Sequence, residues 1–418
     1  MHTWADLPPD PLRVLDALAR RATREGLAPP AALLGNWLGS AAVIAPSVAL
    51  QPVDPGSAFD RPSGDGSSRY VLGFRSFPDV PRGATPLLPE AVSGRAEGLL
   101  VLSHDGRWST RGAVPSPAAL GLTADAPDLA QAPVQHRDQD HHRYQYDDDG
   151  NAASLLWSAP DRDAHHAAVR DCLEAIRAGE IYQACLSTRL DGRVLGEPVD
   201  LFIALWRRTG AQRAAFLQGS WGAVVSLSPE TYLTRTGRDV LSAPIKGTLP
   251  RSADPALLRA SDKDVAENIM IVDLVRHDLG QTADLGSVTV PELLTVHEAP
   301  GVWHLVSTVA SRTGVPHRDL VETTFPPASV TGTPKLRARE LIAGWEPRAR
   351  GLHCGAIGIS GPDEMDLSVA IRTIEISPDG RCEFGVGGGI TIDSDPQAEW
   401  EECLHKAAFT WGGGPAPW

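Results

Sequence analysis

The sequence predicts a mixed helix-and-strand protein of class α+β (α/β), and three observations carry that prediction. Its 418 residues are 42% hydrophobic and 22% charged, ordinary for a globular chain long enough to bury a core without staples. Short strand-like runs separated by Pro, Gly and Asp fill residues 1–160, whereas helical stripes alternate with such runs from Asp161 onward. No stretch approaches the ~18 unbroken apolar residues of a membrane span. The 38 Lys+Arg against 52 Asp+Glu leave a net charge of −14, which argues against nucleic acid as the main partner. A small anionic substrate stays open, because a site needs only a few local cations. Cys172, Cys185, Cys354, Cys382 and Cys403 are odd in number and widely spread, with no CxxC pair. That pattern fits a reducing, cytoplasmic setting and excludes a disulfide framework or a zinc ribbon. The opening MHTWADLPPDPLRVLDALARR has no basic-then-apolar leader and reads as a mature N-terminus.

In chain order, Ala41–Leu50, Tyr70–Phe74 and Gly98–Ser103 read as strands in a β-rich region with a connector, residues 1–150, ahead of a catalytic region, 151–418. The polar stretch His136–Asn151 (HRDQDHHRYQYDDDGN) has no metal-ligand spacing and reads as a solvated connector. Asp163–Ala178 has helical spacing at Ala167, Val169, Cys172, Leu173 and Ile176, with Gly179 ending it. Ile181–Leu190, Trp221–Leu227 and Thr231–Thr236 read as strands. Ser261–Asp278 is a helix with Val265, Ile269, Val272 and Val275 on one stripe. Thr333-Pro334 reads as an N-cap and first-turn proline opening a helix to about Ala343. Ala356–Ser360, Leu367–Ile376 and Cys382–Val386 read as strands, and Asp395-Pro396 opens a last helix to about Phe409.

Four constellations can carry chemistry. Asp264 and Glu267, three apart, share a helix face, as do Glu399 and Glu402, with Lys406 four beyond. Surface ion pairing explains such spacing; so does a Mg²⁺ site, since a hard cation takes carboxylate oxygens plus an anionic ligand. Gly387-Gly388-Gly389 follows a strand and does not open a helix, which fails the context of a nucleotide loop. Its backbone N–H groups can hold a carboxylate, or the run is a tight turn or bulge. Lys246, between Pro-Ile and Gly-Thr, is a surface lysine beside a turn or, in a partly dry pocket, a nucleophile. Arg372 in an apolar run needs a partner, either an internal carboxylate or a substrate carboxylate matched to its planar fork. His304 lies in an apolar context, and His165-His166 on an amphipathic helix face solvent. No cysteine sits in a nucleophile setting.

In order, these residues resemble the chorismate-utilising enzymes. The resemblance runs from about Asp161 to Lys406. It rests on Glu180-Ile181-Tyr182-Gln183-Ala184-Cys185-Leu186-Ser187, Ser228-Pro229-Glu230, Ala266-Glu267-Asn268-Ile269-Met270-Ile271-Val272-Asp273-Leu274, Val330-Thr331-Gly332-Thr333-Pro334-Lys335, Ile371-Arg372-Thr373, and Gly387-Gly388-Gly389-Ile390 followed by Asp393-Ser394-Asp395-Pro396. It implies a two-lobed body with two face-to-face β-sheets and helices outside. It implies Mg²⁺ held by Glu267 and Glu402, with Asp264 and Glu399 close by, against the ring carboxylate of chorismate.

Within that resemblance, branches that add water carry a lysine base where this chain has Gln183, so ammonia is the expected nucleophile. Branches that aminate at C2 usually read Pro-Ile-Ala-Gly where this chain has Pro-Ile-Lys-Gly. Lys246 therefore resembles the nucleophile of the branch that aminates chorismate at C4, with Glu230 as proton donor to the departing hydroxyl. Arg372 and the Gly387–Gly389 backbone are implied to hold the enolpyruvyl carboxylate. Lys406 is implied near the ring carboxylate, and His304 and Thr331 in the pocket wall. Pro326-Pro327-Ala328-Ser329 departs from the usual Pro-Gly-Gly-Ser. The chain shows no glutaminase motif of its own, so a separate glutamine amidotransferase subunit is the expected ammonia source. A C2-aminating enzyme that makes anthranilate is the nearest rival, and a catalytically silent chorismate-binding protein is the rival of another class.

Overall fold

The computed structural model describes residues 4, 7–60, 70–78, 86–122, 135–137, 143–146, 153–412 and 416. Among them the strands form two antiparallel sheets, of thirteen and ten strands. Alternation along single strands shows how the layers stack. On Ala31–Trp37 and Ser40–Ala45 of the larger sheet, Ala32, Leu34, Ala42 and Ile44 point to an outer core beneath the Pro11–Glu25 and Pro198–Thr209 helices. Their neighbours Ala31, Leu33, Val43 and Ala45 point the other way and meet Leu72, Phe74, Ile357 and Ile359 of the smaller sheet. Two sheets thus pack face to face with helices outside, as the resemblance implies. A third core lies under the Asp262–Gly280 and His317–Thr324 helices on the outer face of the smaller sheet. Ala31–Trp37 pairs with Arg213–Gly219 and Tyr70–Arg75 with Ala356–Ser360, so strands from before residue 150 complete both sheets. No helix among the described residues is long and apolar enough to cross a membrane.

Most elements fall where the sequence puts them; five differences have physical reasons. The run expected as one strand over Leu367–Ile376 is two, Glu364–Val369 in the smaller sheet and Thr373–Ile376 in the larger. Between them Arg372 has φ 50°, and the chain crosses from one sheet to the other. Thr333 is no N-cap: it pairs with Gln183, and Pro334 caps the Lys335–Trp345 helix. Gly387–Gly389 is neither turn nor loop but the interior of the Arg381–Ile390 strand. Ile269 is 47% exposed; the buried side of its helix carries Glu267, Asn268, Ile271, Leu274 and Val275, because a polar site faces it. His165 is buried, its ring against Trp400 and its Nε2 3.7 Å from Cys403 Sγ, since the last helix packs over it. Part of His136–Asn151 also forms strands, Gln135–Arg137 and Arg143–Tyr146, at the edge of the larger sheet; the rest of that stretch lies outside the described residues.

Candidate active site

The site gathers around two paired strands. Gln183–Leu195 runs antiparallel to Arg381–Ile390, with Cys185 opposite Gly389 and Ser187 opposite Gly387. Beyond Phe384 the glycine-bearing strand has, among the described residues, that one strand neighbour only, because Thr373–Ile376 pairs no further along it. The Gly387 carbonyl accepts from Lys406 Nζ at 2.8 Å, so it points away from the ladder. By the two-residue pleat, the N–H groups of Gly387 and Gly389 face that open edge too, while those of Gly388 stay in the ladder. The glycines are also needed for space. A side chain at Gly389 would overlap the Glu267 carboxylate, and one at Gly388 would lie 3.3 Å from Glu399 Oε2 and 3.4 Å from Glu402 Oε1. The strand is thereby approached by carboxylates from two helices.

Those helices are placed by ordinary capping. Ser261 caps the Asp262–Gly280 helix by accepting from the Asp264 N–H at 3.2 Å. Asp395 caps the Pro396–Ala407 helix by accepting from the N–H groups of Gln397 and Ala398. Each of three acids then meets a lysine: Glu267 Oε1 with Lys246 at 2.7 Å, Glu399 Oε1 with Lys263 at 2.8 Å, and Glu402 Oε1 with Lys406 at 2.6 Å. Asp264 lies near enough to Glu267 and Glu402 to feel their charge. Burial lowers the Lys246 pKa, but Glu267, with Cys185 and Glu230 nearby, outweighs it and holds the ammonium above the ordinary lysine range. Burial likewise opposes the charge of Glu402, and Lys406 outweighs it, so that carboxyl titrates below its usual range. Lys246 is thus neither a surface lysine nor, in this state, a deprotonated one.

The four acids suit a hard divalent cation in donor type, all oxygen, and the buried Glu399 Oε2 has no hydrogen-bond partner. Among the described residues no three His, Cys, Asp or Glu side chains converge into a ready-made metal cage. The lysines lie against one oxygen each of Glu267, Glu399 and Glu402, so a bound cation would share these carboxylates with them or displace them.

The second half of the site is set by the turn Ser228-Pro229-Glu230 and the crossing segment that holds Arg372. The two run side by side: Leu227 N–H donates to Arg372 O at 2.9 Å and Val369 N–H to Glu230 O at 3.1 Å. Glu230 is 4% exposed; burial raises its pKa against the hydrogen bond from Ser329 and the charge of Lys246, and its Oε1 lacks a partner. Arg372 has no side-chain partner among the described residues, which removes the internal-carboxylate reading. Burial pushes its pKa down, and no neighbouring acid offsets this. A left-handed backbone at a non-glycine residue is itself a feature of functional sites.

His304 is buried, its Nδ1 2.9 Å from Thr248 Oγ1, and burial followed by the charge of Arg372 lowers its pKa to about 4, so the ring is neutral. Thr331 is fully buried and its hydroxyl donates to Ala328 O at 2.9 Å. Gln183 is 1% exposed with both amide atoms unpartnered. It shares a strand face with Cys185, whose charge coupling to Lys246 and Lys406 places that face toward the lysines.

Three participants escaped the sequence reading. Lys263 neutralises Glu399; a lysine in the first turn of a helix runs against the helix dipole, and that misplacement was its signal. Ser394 donates to Glu399 Oε1 at 2.6 Å, and Ser329 to Glu230; neither stood out from cap and loop chemistry.

Fold and site together mark a two-sheet enzyme scaffold with a buried, lysine- and carboxylate-rich centre. Residues 70–411 match the chorismate binding enzyme family, and the chain belongs to it. The chain is 38% identical over 325 residues to aminodeoxychorismate synthase component 1 of Klebsiella aerogenes, covering 69% of this chain and 71% of that protein. It is 40% identical over 257 residues to the protein of the same name from Escherichia coli (strain K12), covering 59% and 56%. Anthranilate synthase component 1 of Streptomyces coelicolor is 34% identical over 372 residues, covering 80% and 69%. The fold is also that of the crystal structure of anthranilate synthase component I from Streptococcus pneumoniae TIGR4, with TM-score 0.67 at 23% identity over 92% of this chain and 91% of that one. The chain thus spans a little over half to about seven-tenths of the length of these curated relatives.

Proposed function

We propose that this chain is the chorismate-aminating component of an aminodeoxychorismate synthase, converting chorismate and ammonia to 4-amino-4-deoxychorismate and water. The observation that carries the reading is the buried Lys246, 2.7 Å from Glu267 and within the electrostatic reach of Glu230. A chain that aminates at C2 has no use for an amine placed there, and this outweighs the anthranilate reading that one relative offers.

Arg372, with no internal partner, and the outward N–H groups of Gly387 and Gly389 hold the enolpyruvyl carboxylate. Glu267 and Glu402, with Asp264 and Glu399 beside them, are the residues that would hold Mg²⁺. Bound there, it would neutralise carboxylate charge and act as a Lewis acid toward the ring carboxylate. Lys246 leaves Glu267 and releases its proton to solvent, to be taken back when the lysine is freed at the end, and its Nζ forms a bond to C2 as the ring double bonds shift. Glu230 passes its proton to the C4 hydroxyl, which leaves as water; burial raises its pKa, which favours the protonated form that task needs. Ammonia adds at C4, the C2–Nζ bond breaks, and the surplus proton on nitrogen returns to Glu230. Lys406 orients the ring end, His304 and Thr331 close the wall, and Gln183 offers an unpartnered amide where a water-activating base would otherwise sit. The relatives are named as component 1, and we assign the supply of ammonia to a second component, a glutamine amidotransferase subunit.

The test is a product assay on the purified chain with chorismate, Mg²⁺ and ammonium at alkaline pH, read by mass spectrometry. A species with the mass of aminodeoxychorismate, convertible to 4-aminobenzoate by an added lyase, is expected; fluorescent anthranilate would overturn the reading. Binding of chorismate with no product, even after a glutaminase subunit is added, would leave only a binding protein.

A further inference from the structure

Beside Glu230 lies a partly open cavity of about 20 Å³. Its polar lining includes Glu230, Tyr232, Ser242, Asp278, Thr324 and Ser329. One water needs roughly 10–15 Å³ and two to four polar partners, and this cavity meets both conditions. Two of those partners are carboxyl groups with spare oxygens. Glu230 Oε1 is unpartnered, and Asp278 uses Oδ2 for Lys335 at 2.8 Å. Lys335 Nζ also donates to Thr324 O at 2.8 Å, which anchors it to the cavity wall. The Tyr232 hydroxyl is engaged with Thr324 Oγ1 at 2.7 Å. Asp278 and Lys335 are 7% and 12% exposed, so this ion pair is not a surface decoration.

Resting on the functional reading above, we propose that Asp278 and Lys335 are positioning residues for Glu230, acting through one water held in this cavity between the two carboxyl groups. Burial raises the Asp278 pKa and the Lys335 ammonium opposes that rise, which favours the ionised, hydrogen-bond-accepting form. While Glu230 is protonated, its O–H donates to the water, and the water donates to Asp278. Once the proton has gone to the leaving hydroxyl, the water turns its second hydrogen toward the new Glu230 carboxylate. When ammonia has added, the proton returns to Glu230 and the water turns back; no proton is gained or lost. Other charges face the pair. Lys246 and Lys406 act on Glu230, His277 acts on Asp278, and Arg75 and Glu322 act on Tyr232. None of these stands between Glu230 and Asp278 in the cavity lining.

The test is the pH dependence of ammonium-driven amination, each variant measured against wild type in the same buffers so that titration of ammonium cancels. Asp278→Asn leaves Lys335 uncompensated, which favours ionised Glu230. The falling limb of kcat/KM should move down by about one pH unit, roughly tenfold in rate on that limb, with KM for chorismate within about twofold. The double variant Asp278→Asn with Lys335→Met removes both charges and should bring the limb back toward wild type. Val275→Ile adds a methyl group to an apolar wall of the cavity. It should lower kcat about tenfold while the urea midpoint stays level or rises, a combination that a purely structural role does not give. This variant keeps the test decisive even where Asp278→Asn fails to fold. An unmoved limb in Asp278→Asn, or an unchanged kcat in Val275→Ile, would overturn the inference. Absence of aminodeoxychorismate from wild type would instead overturn the functional reading itself.

Discussion

Two carboxylates in the same site, Glu230 and Glu267, live under opposite rules. Glu267 is buried beside Lys246, as Glu399 and Glu402 of the last helix lie beside Lys263 and Lys406. Glu230 is as deeply buried, but its Oε1 has no partner, and desolvation raises its pKa. The difference teaches how one interior supplies both charge and acid. Glu267 has an ion-paired lysine at 2.7 Å; Glu230 has hydrogen bonds from Ser329 and the Ile245 N–H but no ion pair among the described residues, and burial raises its pKa.

The largest expected break in this comparison is Lys246→Ala. It removes the proposed nucleophile and leaves Glu267 buried without its cation, so amination should fall below detection and stability by about 3–5 kcal/mol, read by product mass and by urea unfolding. Retained amination would show that no covalent step uses this lysine. Glu230→Gln keeps shape and burial but not the proton. It should cost roughly 10²–10⁴-fold in kcat while chorismate still binds, checked by turnover and calorimetry. Gly389→Ala pushes a methyl group into Glu267 and should abolish the Mg²⁺ dependence of substrate binding before it affects folding. Arg372→Lys should raise KM for chorismate about tenfold or more with kcat within a few-fold, because a point charge replaces a fork. Unchanged KM there would return Arg372 to a packing role.

The smallest effect concerns stability away from the chemistry. Burial, then the neighbouring His166, lowers the pKa of His165 from 6.5 to about 4. Between those values the unfolded chain binds more protons than the folded one. Stability is therefore full above pH 6.5 and lost as pH falls toward 4, by about 2 kcal/mol at pH 5. His165→Phe should flatten the urea midpoint between pH 7.5 and pH 5 relative to wild type; an equally steep loss would place the acid sensitivity elsewhere.

How much of this was legible in the sequence follows from the range of each signal. Local chemistry was readable: the helix over Ser261–Asp278, the helix opened by Asp395-Pro396, the strand at Thr231–Thr236 and the helix spacing over 162–177 depend on neighbours a few residues away. The candidate residues were readable through their order along the chain. What the sequence hid depends on contacts across long separations. That Gly387–Gly389 is the interior of a strand with one open edge depends on where Thr373–Ile376 stops pairing. That Ile269 faces out follows from a polar site claiming the inner face of its helix, which reverses the usual apolar stripe. That Lys246 is held as an ammonium by Glu267 depends on two elements meeting, and so does the burial of His165 under the last helix.

The most direct test of the central claim, that Lys246 is the nucleophile and Glu230 the acid, is intact-protein and peptide mass spectrometry of the chain quenched after mixing with chorismate and Mg²⁺ without ammonium. The account predicts a covalent adduct of chorismate less water on the peptide containing Lys246, absent from Lys246→Ala and strongly reduced in Glu230→Gln. Amination by a chain that never carries this adduct, or an adduct on another residue, would contradict it.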